Sequence, residues 1–475
     1  MRSRASLAVA ALVAAGVALR LTSLDVGSFW FDESCTEHIA ASPDWLETIR
    51  GSRHPPVAIL AVREWRSLFG ASDAALRALP AIVSCVSLVL FARLATRWCE
   101  GLPRIGAVAI AATSPFLVWY AQELTPYAFV ELGTLVALVG ADAALDATSR
   151  RRAFGLVATA LGVAIAMGSH YLGGLVAATV VALAGISFWR EPARRRAAVA
   201  VATAAVVGVA VWIPWLVAIY PDQRRTAWGH NAKLGSRDLL ELPIRLVLVK
   251  MEAVPDSLRF AGYALGALLL GGIAVTVARA IRLRDARDLR ICAVLFVPIA
   301  VALASLLVLP PNFQAKYLIS ASAGAILAVA VGLASAPRPV GAALLALTAA
   351  GCLWVTALHK AANWRDDFRS ACAAVSDRWR PGDRVLSVTG TPEGFNEAAI
   401  RHYLRARPEI DAAIGDTSAI VARPGEVYPA GTRVLAVYRK SFYAKRHLDK
   451  LQAAWKEREH VPFDEGIELY VFETG

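Results

Sequence analysis

The segment ASLAVAALVAAGVALRLTSL (residues 5–24) carries a single charged side chain, Arg20. A helix of about 20 mostly apolar residues is long enough to cross the ~30 Å hydrocarbon core of a bilayer. Segments of this kind recur as far as Leu358, and we predict about eleven spans near residues 5–24, 76–95, 104–120, 126–146, 153–168, 171–189, 197–219, 260–280, 289–309, 315–335 and 339–358. The sequence therefore predicts a polytopic α-helical membrane protein.

The composition agrees with this interpretation. Of the 475 residues, 57% are hydrophobic and 19% are charged, whereas an ordinary soluble domain has about 25% charged residues. This composition argues against a soluble enzyme and against a disordered chain. The net charge of +12 does not indicate nucleic-acid binding, because the basic residues lie in short runs between apolar segments, as cytoplasmic charge does in membrane proteins. We expect no nucleic-acid partner.

The basic runs also predict the topology. With an inner N-terminus retained as the first span, rather than a cleaved signal peptide, the short arginine clusters all fall on the inner side if the chain turns at Ser169-His170. A single long helix broken near Gly168 is the alternative, and it would reverse all later spans. An odd number of spans places the C-terminal region outside. The outer segment 220–259 is basic, and it is either a solvated loop or a contact for an anionic head group.

The composition changes after Lys360, where charged residues become frequent. We predict a membrane domain (residues 1–360) with outer loop helices at 25–75, followed by a small extracytoplasmic α/β domain (residues 361–475), a size that can fold independently. The predicted strands are 384–388, 433–438 and 466–472, with helical segments near 395–406 and 443–457. The segment Gly390–Gly394 has neither the spacing nor the lysine of a phosphate-binding loop.

The first outer loop contains the most informative polar residues. It reads SFWFDESCTEH (residues 28–38), so Asp32 and Glu33 are adjacent carboxylates flanked by three aromatic residues. Aromatic residues anchor a segment at the membrane interface, and partial burial raises the proton affinity of a carboxylate. Such a carboxylate can act as a general base towards a hydroxyl or amine. The alternative is a solvated acidic loop without chemistry.

Other polar residues fall at span ends on the same predicted face. Each has a simple structural explanation when taken alone, since a lysine can snorkel and a glutamate can cap a helix. Together they predict one outward-facing cavity in which cations face carboxylates. Its members are Arg53, His54, Glu123, Tyr127, His170, Tyr171, Lys316 and Tyr317.

Several of these segments match a known family in order. RLTSL (residues 20–24) followed by SFWFDE (28–33) resembles the opening of GT-C membrane glycosyltransferases, specifically the protein O-mannosyltransferase and aminoarabinose-transferase group. HPP (54–56) and SPFLVWYAQE (114–123) are similar to further motifs of that group, and KYL (316–318) stands where it often has Arg-Tyr-Leu. Two departures concern phosphate binding. Thr125 replaces an arginine of many relatives, and Lys316 keeps a positive charge but lacks the two-pronged guanidinium.

The resemblance implies an enzyme that transfers a sugar from a polyprenyl-phosphate carrier to an acceptor on the outer face of the cytoplasmic membrane. In this interpretation Asp32 is the base of a single inverting displacement, Glu33 supports it or holds a cation, and Glu123 is a second carboxylate near the acceptor. The cations Lys316, His54, Arg20 and His170 stabilise the phosphate leaving group. Arg53, Tyr127, Tyr171 and Tyr317 complete the predicted substrate contacts.

The resemblance leaves other features open. The acceptor is a lipid, a glycan or a protein, and a site using Glu33 or His54 could hold a divalent metal ion. A transporter or lipid flippase is the competing class, but the spans are almost free of ionisable residues and show no inverted repeat. A non-catalytic binding scaffold is the third hypothesis.

Overall fold

The computed structural model describes residues 2–146, 149–226, 236–248, 259–305, 314–361, 365–389, 397–415, 420 and 423–475. The chain divides into two compact units, the first formed by residues 1–24, 52–61 and 77–362, and the second by 25–51, 62–76 and 363–475. The sequence assigned the loop helices 25–75 to the membrane domain. The structure instead groups most of that loop with the C-terminal residues. The segment 390–394 lies outside the described residues, as do parts of 220–259.

The described residues up to Ala361 are almost entirely helical. In chain order the helices are α1 (Arg2–Leu21), α2 (Phe31–Ala41), α3 (Trp45–Arg50), α4 (Pro56–Phe69), α5 (Asp73–Trp98), α6 (Leu102–Thr113), α7 (Pro115–Ala121), α8 (Tyr127–Asp146), α9 (Ser149–Ser169), α10 (Leu175–Arg190), α11 (Arg195–Ala210), α12 (Ile213–Ala218), α13 (Tyr220–Thr226), α14 (Ser236–Leu248), α15 (Arg259–Leu283), α16 (Ala286–Ser305), α17 (Ser322–Leu333) and α18 (Arg338–Ala361). Short 3₁₀ turns at Tyr171–Gly174 and Ala315–Ala321 precede α10 and α17.

The predicted number of spans is confirmed. Among the described residues, ten helices are long and apolar enough to cross a membrane, and the pair α6 and α7, bent by 46°, makes an eleventh if it is one span. Separate spans end at Ser169 and begin at Tyr171. The chain therefore breaks between α9 and α10, as the arginine pattern predicted.

Glycines bring α8 and α9 into backbone contact. Gly133 and Gly140 on α8 face Gly162 and Gly155 on α9, and a Cβ atom built on Gly162 would lie 2.3 Å from the backbone nitrogen of Ala137. Small residues at such a contact let two helices pack closely without water. Because the pair is antiparallel, the start of α8 and the end of α9 lie at the same end. This packing brings Tyr127 close to His170.

The second unit contains an α/β domain. Its elements after Ala361 are α19 (Phe368–Arg378), β1 (Arg384–Val388), α20 (Ala398–Leu404), α21 (Pro408–Asp411), α22 (Pro424–Val427), β2 (Arg433–Arg439), α23 (Phe442–Ala454), β3 (Trp455–Pro462) and β4 (Ile467–Thr474). The strand order is β1-β2-β4-β3, with β1 parallel to β2 and the other pairs antiparallel. Alternate strand residues pack against α19 and α20 on one face and against α23 on the other. The three predicted strands correspond to β1, β2 and β4, and the helical segments predicted near 395–406 and 443–457 correspond to α20 and α23. Strand β3 was missed.

Candidate active site

Five of the predicted site residues meet in one cluster of the first unit. The His170 ring lies 5.4 Å from the His54 ring and 5.3 Å from the Tyr317 ring, measured between centroids. The Tyr127 ring lies 5.8 Å from His170 and 6.4 Å from Tyr317. Lys316 Nζ lies 5.5 Å from the centre of the Tyr127 ring and 5.9 Å from that of Tyr317. We call these residues the cationic cluster: His54, Tyr127, His170, Lys316 and Tyr317.

The ends of the helices place these side chains. His54 precedes α4, Tyr127 begins α8, His170 follows α9, and the two residues of the KYL motif lie in the 3₁₀ turn before α17. Each position was predicted to lie at a span end. The cluster therefore joins four segments that are far apart in sequence.

The surroundings of His170 favour its neutral form. Burial lowers the pKa of His170 well below its usual value, and the neighbouring His54 and Lys316 lower it further. The His170 Nδ1 atom accepts a hydrogen bond from the backbone nitrogen of Leu172 at 3.1 Å, so the proton of the neutral ring lies on Nε2. The cluster thus offers an ammonium group and a neutral imidazole donor, both of which suit a phosphate oxygen.

A buried glutamine, Gln223, holds the backbone of the cationic cluster at His54. Gln223 Nε2 donates to the carbonyl of His54 at 2.9 Å, and Gln223 Oε1 accepts from the Tyr171 hydroxyl. The same hydroxyl accepts from Trp215 Nε1 at 3.0 Å. Tyr171 therefore helps to hold Gln223, which in turn binds the His54 segment. The contact of Tyr171 with substrate stays a prediction. Gln223 was not predicted, because only the basic residues of segment 220–259 gave a signal in the sequence. Arg53 is half-buried directly before His54.

Arg20 was predicted to contact phosphate, and the structure gives it a different role. Pro115 has no N–H group and Ser114 bends the chain there, so α6 ends with carbonyl groups that lack their helical donors. Arg20 Nη2 donates to the carbonyl of Ala111 at 3.1 Å, and Nη1 donates to that of Ala112 at 3.2 Å. The side chain is fully buried. Arg20 therefore caps the broken helix, and we withdraw it from the phosphate contacts.

The same arginine belongs to a polar cluster inside the spans. Its Nε atom donates to Ser84 Oγ at 3.0 Å, and Ser84 Oγ donates to Glu131 Oε2 at 3.3 Å. The Glu131 charge attracts the Arg20 guanidinium electrostatically. A buried ionisable residue in a span usually has such a partner. The contacts of Arg20, Ser84 and Glu131 are therefore a structural pairing.

The Gln-Glu motif completes the contact between α1 and α7. Gln122 Nε2 donates to three carbonyls at the end of α1, those of Leu19, Arg20 and Thr22, at 3.2, 2.9 and 2.7 Å. Glu123 is buried, and its Oε2 accepts from the Thr125 hydroxyl at 3.3 Å. Gln122 is thus a structural residue. The role of Glu123 as a second carboxylate stays a prediction.

The acidic pair belongs to the second unit, where its members differ. Both lie in the first turn of α2. Glu33 is fully buried, accepts from the backbone nitrogen of Trp30 at 3.3 Å, and lies 3.9 Å from Arg365 Nε. Asp32 is partly exposed. Burial raises the pKa of the nearby Asp366, and the charge of Asp32 adds to that rise. Glu33 therefore caps its helix, while Asp32 is the more accessible carboxylate.

The sequence left open whether Glu33 or His54 helps to hold a metal ion. Among the described residues, no group of three or more His, Cys, Asp or Glu side chains could hold a metal ion. Glu33 pairs with Arg365, and the His54 ring packs at an angle of 46° against the ring of His170. The geometry of these residues gives no support to a divalent cation.

Comparisons with known proteins agree with the fold. The family model of dolichyl-phosphate-mannose-protein mannosyltransferase matches residues 53–215. The crystal structure of apo ArnT from Cupriavidus metallidurans matches with a TM-score of 0.66 and 14% identity, covering 98% of this chain and 97% of that chain. The same protein bound to undecaprenyl phosphate matches with a TM-score of 0.64, 13% identity and the same coverage.

A more distant match has the same architecture. The oligosaccharyltransferase of Archaeoglobus fulgidus, tethered to an acceptor peptide, gives a TM-score of 0.54 at 12% identity, covering 98% of this chain and 74% of that one. A search of the curated proteins finds no match. The chain is a polytopic membrane protein with the GT-C glycosyltransferase fold, and its resemblance to the protein O-mannosyltransferase and aminoarabinose-transferase group is confirmed.

Proposed function

We propose that the chain is an integral-membrane glycosyltransferase that moves a sugar from a polyprenyl-phosphate-linked donor to an acceptor. The observation that carries this proposal is the cationic cluster, in which Lys316 and His170 at the ends of spans lie together with His54 before α4. A lipid-borne phosphate enters a protein at this depth, near the membrane surface. The undecaprenyl phosphate bound by ArnT from Cupriavidus metallidurans, which shares the fold, supports a carrier of the same chemistry.

The leaving group accounts for the charges of the cluster. When the bond between the anomeric carbon and the phosphate oxygen breaks, negative charge develops on that oxygen. Preorganised donors at this position stabilise the transition state more than they do the ground state. Lys316 would supply the positive charge and His170 Nε2 a neutral hydrogen bond. Arg53, half-buried beside His54, would contact the second phosphate oxygen or the sugar.

Asp32 is the proposed general base. It would take the proton of the acceptor hydroxyl or amine as that atom attacks the anomeric carbon from the face opposite the phosphate. The new glycosidic bond forms while the old bond breaks, so the anomeric configuration inverts and free polyprenyl phosphate is released. Glu33 is less suited to this step, because it is fully buried and caps α2. The acceptor is a lipid, a glycan or a protein.

The basic clusters between the spans support a location in the cytoplasmic membrane, with the chemistry on the outer face. The second unit would then be extracytoplasmic. The proposal therefore includes an extracytoplasmic acceptor.

The test uses the purified full chain in detergent, incubated with a panel of polyprenyl-phosphate sugars and membrane extracts as acceptors. We expect sugar transfer from at least one donor, and Asp32→Asn should lower turnover by about 10²- to 10⁴-fold, as loss of a general base does. Asp25→Asn, an exposed carboxylate in the same loop, is the matched control and should leave turnover unchanged.

Two results would contradict parts of the proposal. More than about a tenth of wild-type turnover in Asp32→Asn would remove Asp32 as the base and direct attention to Glu123. Absence of transfer from every donor, combined with movement of lipid-linked sugar across reconstituted vesicles, would support a flippase instead.

A further inference from the structure

A buried histidine in the second unit bridges two carboxylates. His402 Nε2 lies 2.9 Å from Asp73 Oδ1, and Nδ1 lies 3.6 Å from Glu37 Oε2. The side chain of His402 is 1% exposed, against 7% for Glu37 and 10% for Asp73. These residues come from three elements, since Glu37 is on α2, Asp73 begins α5 and His402 is on α20. We call the three residues the histidine bridge.

Charged neighbours complete the histidine bridge. Glu37 also accepts from Arg66 Nε at 2.9 Å, and Asp73 accepts from Arg369 Nη2 and from the Tyr403 hydroxyl, each at 2.7 Å. Arg405 Nη1 lies 2.8 Å from His402 Nδ1. Both carboxylates are thus paired with cations. Burying charged groups costs free energy, and removing one of them leaves its partner buried and unpaired. The cluster therefore fixes one arrangement of the three elements.

This cluster holds the chain on both sides of Asp32. Glu37 follows Asp32 by five residues on the same helix. Phe29 precedes it by three residues, is fully buried, and stacks on the His402 ring with 4.5 Å between centroids. The backbone nitrogen of Phe29 also donates to the Tyr403 hydroxyl. Two adjacent residues of α20 therefore contact the segment before Asp32, and one of them also contacts the segment after it.

We propose that His402 and Tyr403 are positioning residues for Asp32, and that the C-terminal domain serves to hold the first turn of α2 in place. This inference rests on the proposed function, since it assumes that Asp32 is the base. A base displaced by about 1 Å can lose on the order of 10² in rate. The histidine bridge thus gives the C-terminal domain a role in the chemistry although it touches no substrate.

The experiment uses the full chain with His402→Ala, His402→Gln and Tyr403→Phe. His402→Ala should lower kcat by about 10- to 100-fold, while the KM for the donor stays within about twofold, because the donor phosphate binds elsewhere. Glutamine places an N–H donor near the position of Nε2 and should restore part of kcat. His447→Ala is the matched control, since this histidine lies on α23, outside the bridge, and should change neither constant.

Hydrogen exchange provides a readout that does not depend on transfer. The amides of residues 31–41 should exchange faster in His402→Ala and in Tyr403→Phe, and at the wild-type rate in His447→Ala. If His402→Ala fails to fold, Tyr403→Phe decides, because it removes only one hydroxyl and keeps the ring.

The contradicting results are distinct. Wild-type kcat together with wild-type exchange in these variants would overturn the positioning role. A parallel loss of kcat and donor affinity that glutamine does not restore would indicate general destabilisation and would also overturn it. If the wild-type protein transfers no sugar, the proposed function fails. Unchanged hydrogen exchange of α2 in the variants would separately refute the role of the histidine bridge in holding α2.

Discussion

Replacing Lys316 with glutamine should weaken binding of the lipid phosphate without preventing folding. The ammonium group lies 5.5 Å and 5.9 Å from the centres of two tyrosine rings. A cation–π contact contributes about 0.5–1 kcal/mol at partly exposed sites, so its loss lowers stability only modestly. A charge-assisted hydrogen bond to phosphate contributes about 1.5–3 kcal/mol. Its loss should therefore raise the Kd for polyprenyl phosphate by about one to two decades.

The assay measures the Kd of undecaprenyl phosphate for the purified protein in lipid nanodiscs. Lys316→Arg keeps the charge and should bind at least as well as wild type, since a guanidinium can form two parallel bonds to phosphate. Lys360→Gln is the control, because this lysine also ends a span but donates to the carbonyl of Thr22 at 2.9 Å. Equal Kd values for wild type and Lys316→Gln would refute the reasoning. Lys316 would then serve only to pack against the tyrosines.

Three further predictions concern stability, pH and topology. Arg20→Met leaves Glu131 without its buried partner, which typically costs about 3–5 kcal/mol, so the Tm in detergent should fall. Arg4→Gln, at an exposed residue, is the control and should keep the wild-type Tm. An unchanged Tm in Arg20→Met would contradict the capping role. Burial alone would lower the pKa of His402, but hydrogen bonds to the bridge carboxylates raise it above its usual 6.5. The stabilisation is thus complete below that pH and is lost as pH rises through the raised value. Protease resistance of the second unit should decline as pH rises through that range in wild type but not in His402→Gln. Wild-type resistance that does not change with pH would contradict the stabilising role of protonated His402. A reporter fused after Gly475 should be active only outside the cytoplasm, and cytoplasmic activity would reverse the topology.

The spans and the cationic cluster could be predicted because local sequence determines them. Apolar length and arginine clusters identify the helices and their direction. Polar residues at predicted span ends, such as His170 and Lys316, are then expected on one face whatever the details of packing. Residues that are far apart in sequence could therefore be grouped without knowledge of any individual contact.

The rest depended on tertiary contacts that the sequence does not display. Strand β3 is an edge strand whose residues are mostly exposed and charged, so it lacks the alternation that identifies strands. The partner of His402 at Asp73 is 329 residues away, and nothing in the local pattern at either position indicates the other. Arg20 was misassigned because an arginine at a span end suits phosphate binding and helix capping equally well.

The arginine cap of α6 has a consequence for the evolution of such chains. Arg20 is needed because Pro115 breaks the helix and exposes the Ala111 and Ala112 carbonyls to a side-chain donor. In a relative without this proline, the backbone N–H groups after α6 could bond the Ala111 and Ala112 carbonyls. Arg20 would then be a buried charge that is no longer needed as a cap. Positions 20 and 115 are far apart in sequence but close in the structure. They should therefore change together among homologues. Their covariation would record the repair of a helix break, even where the sugar and the acceptor differ.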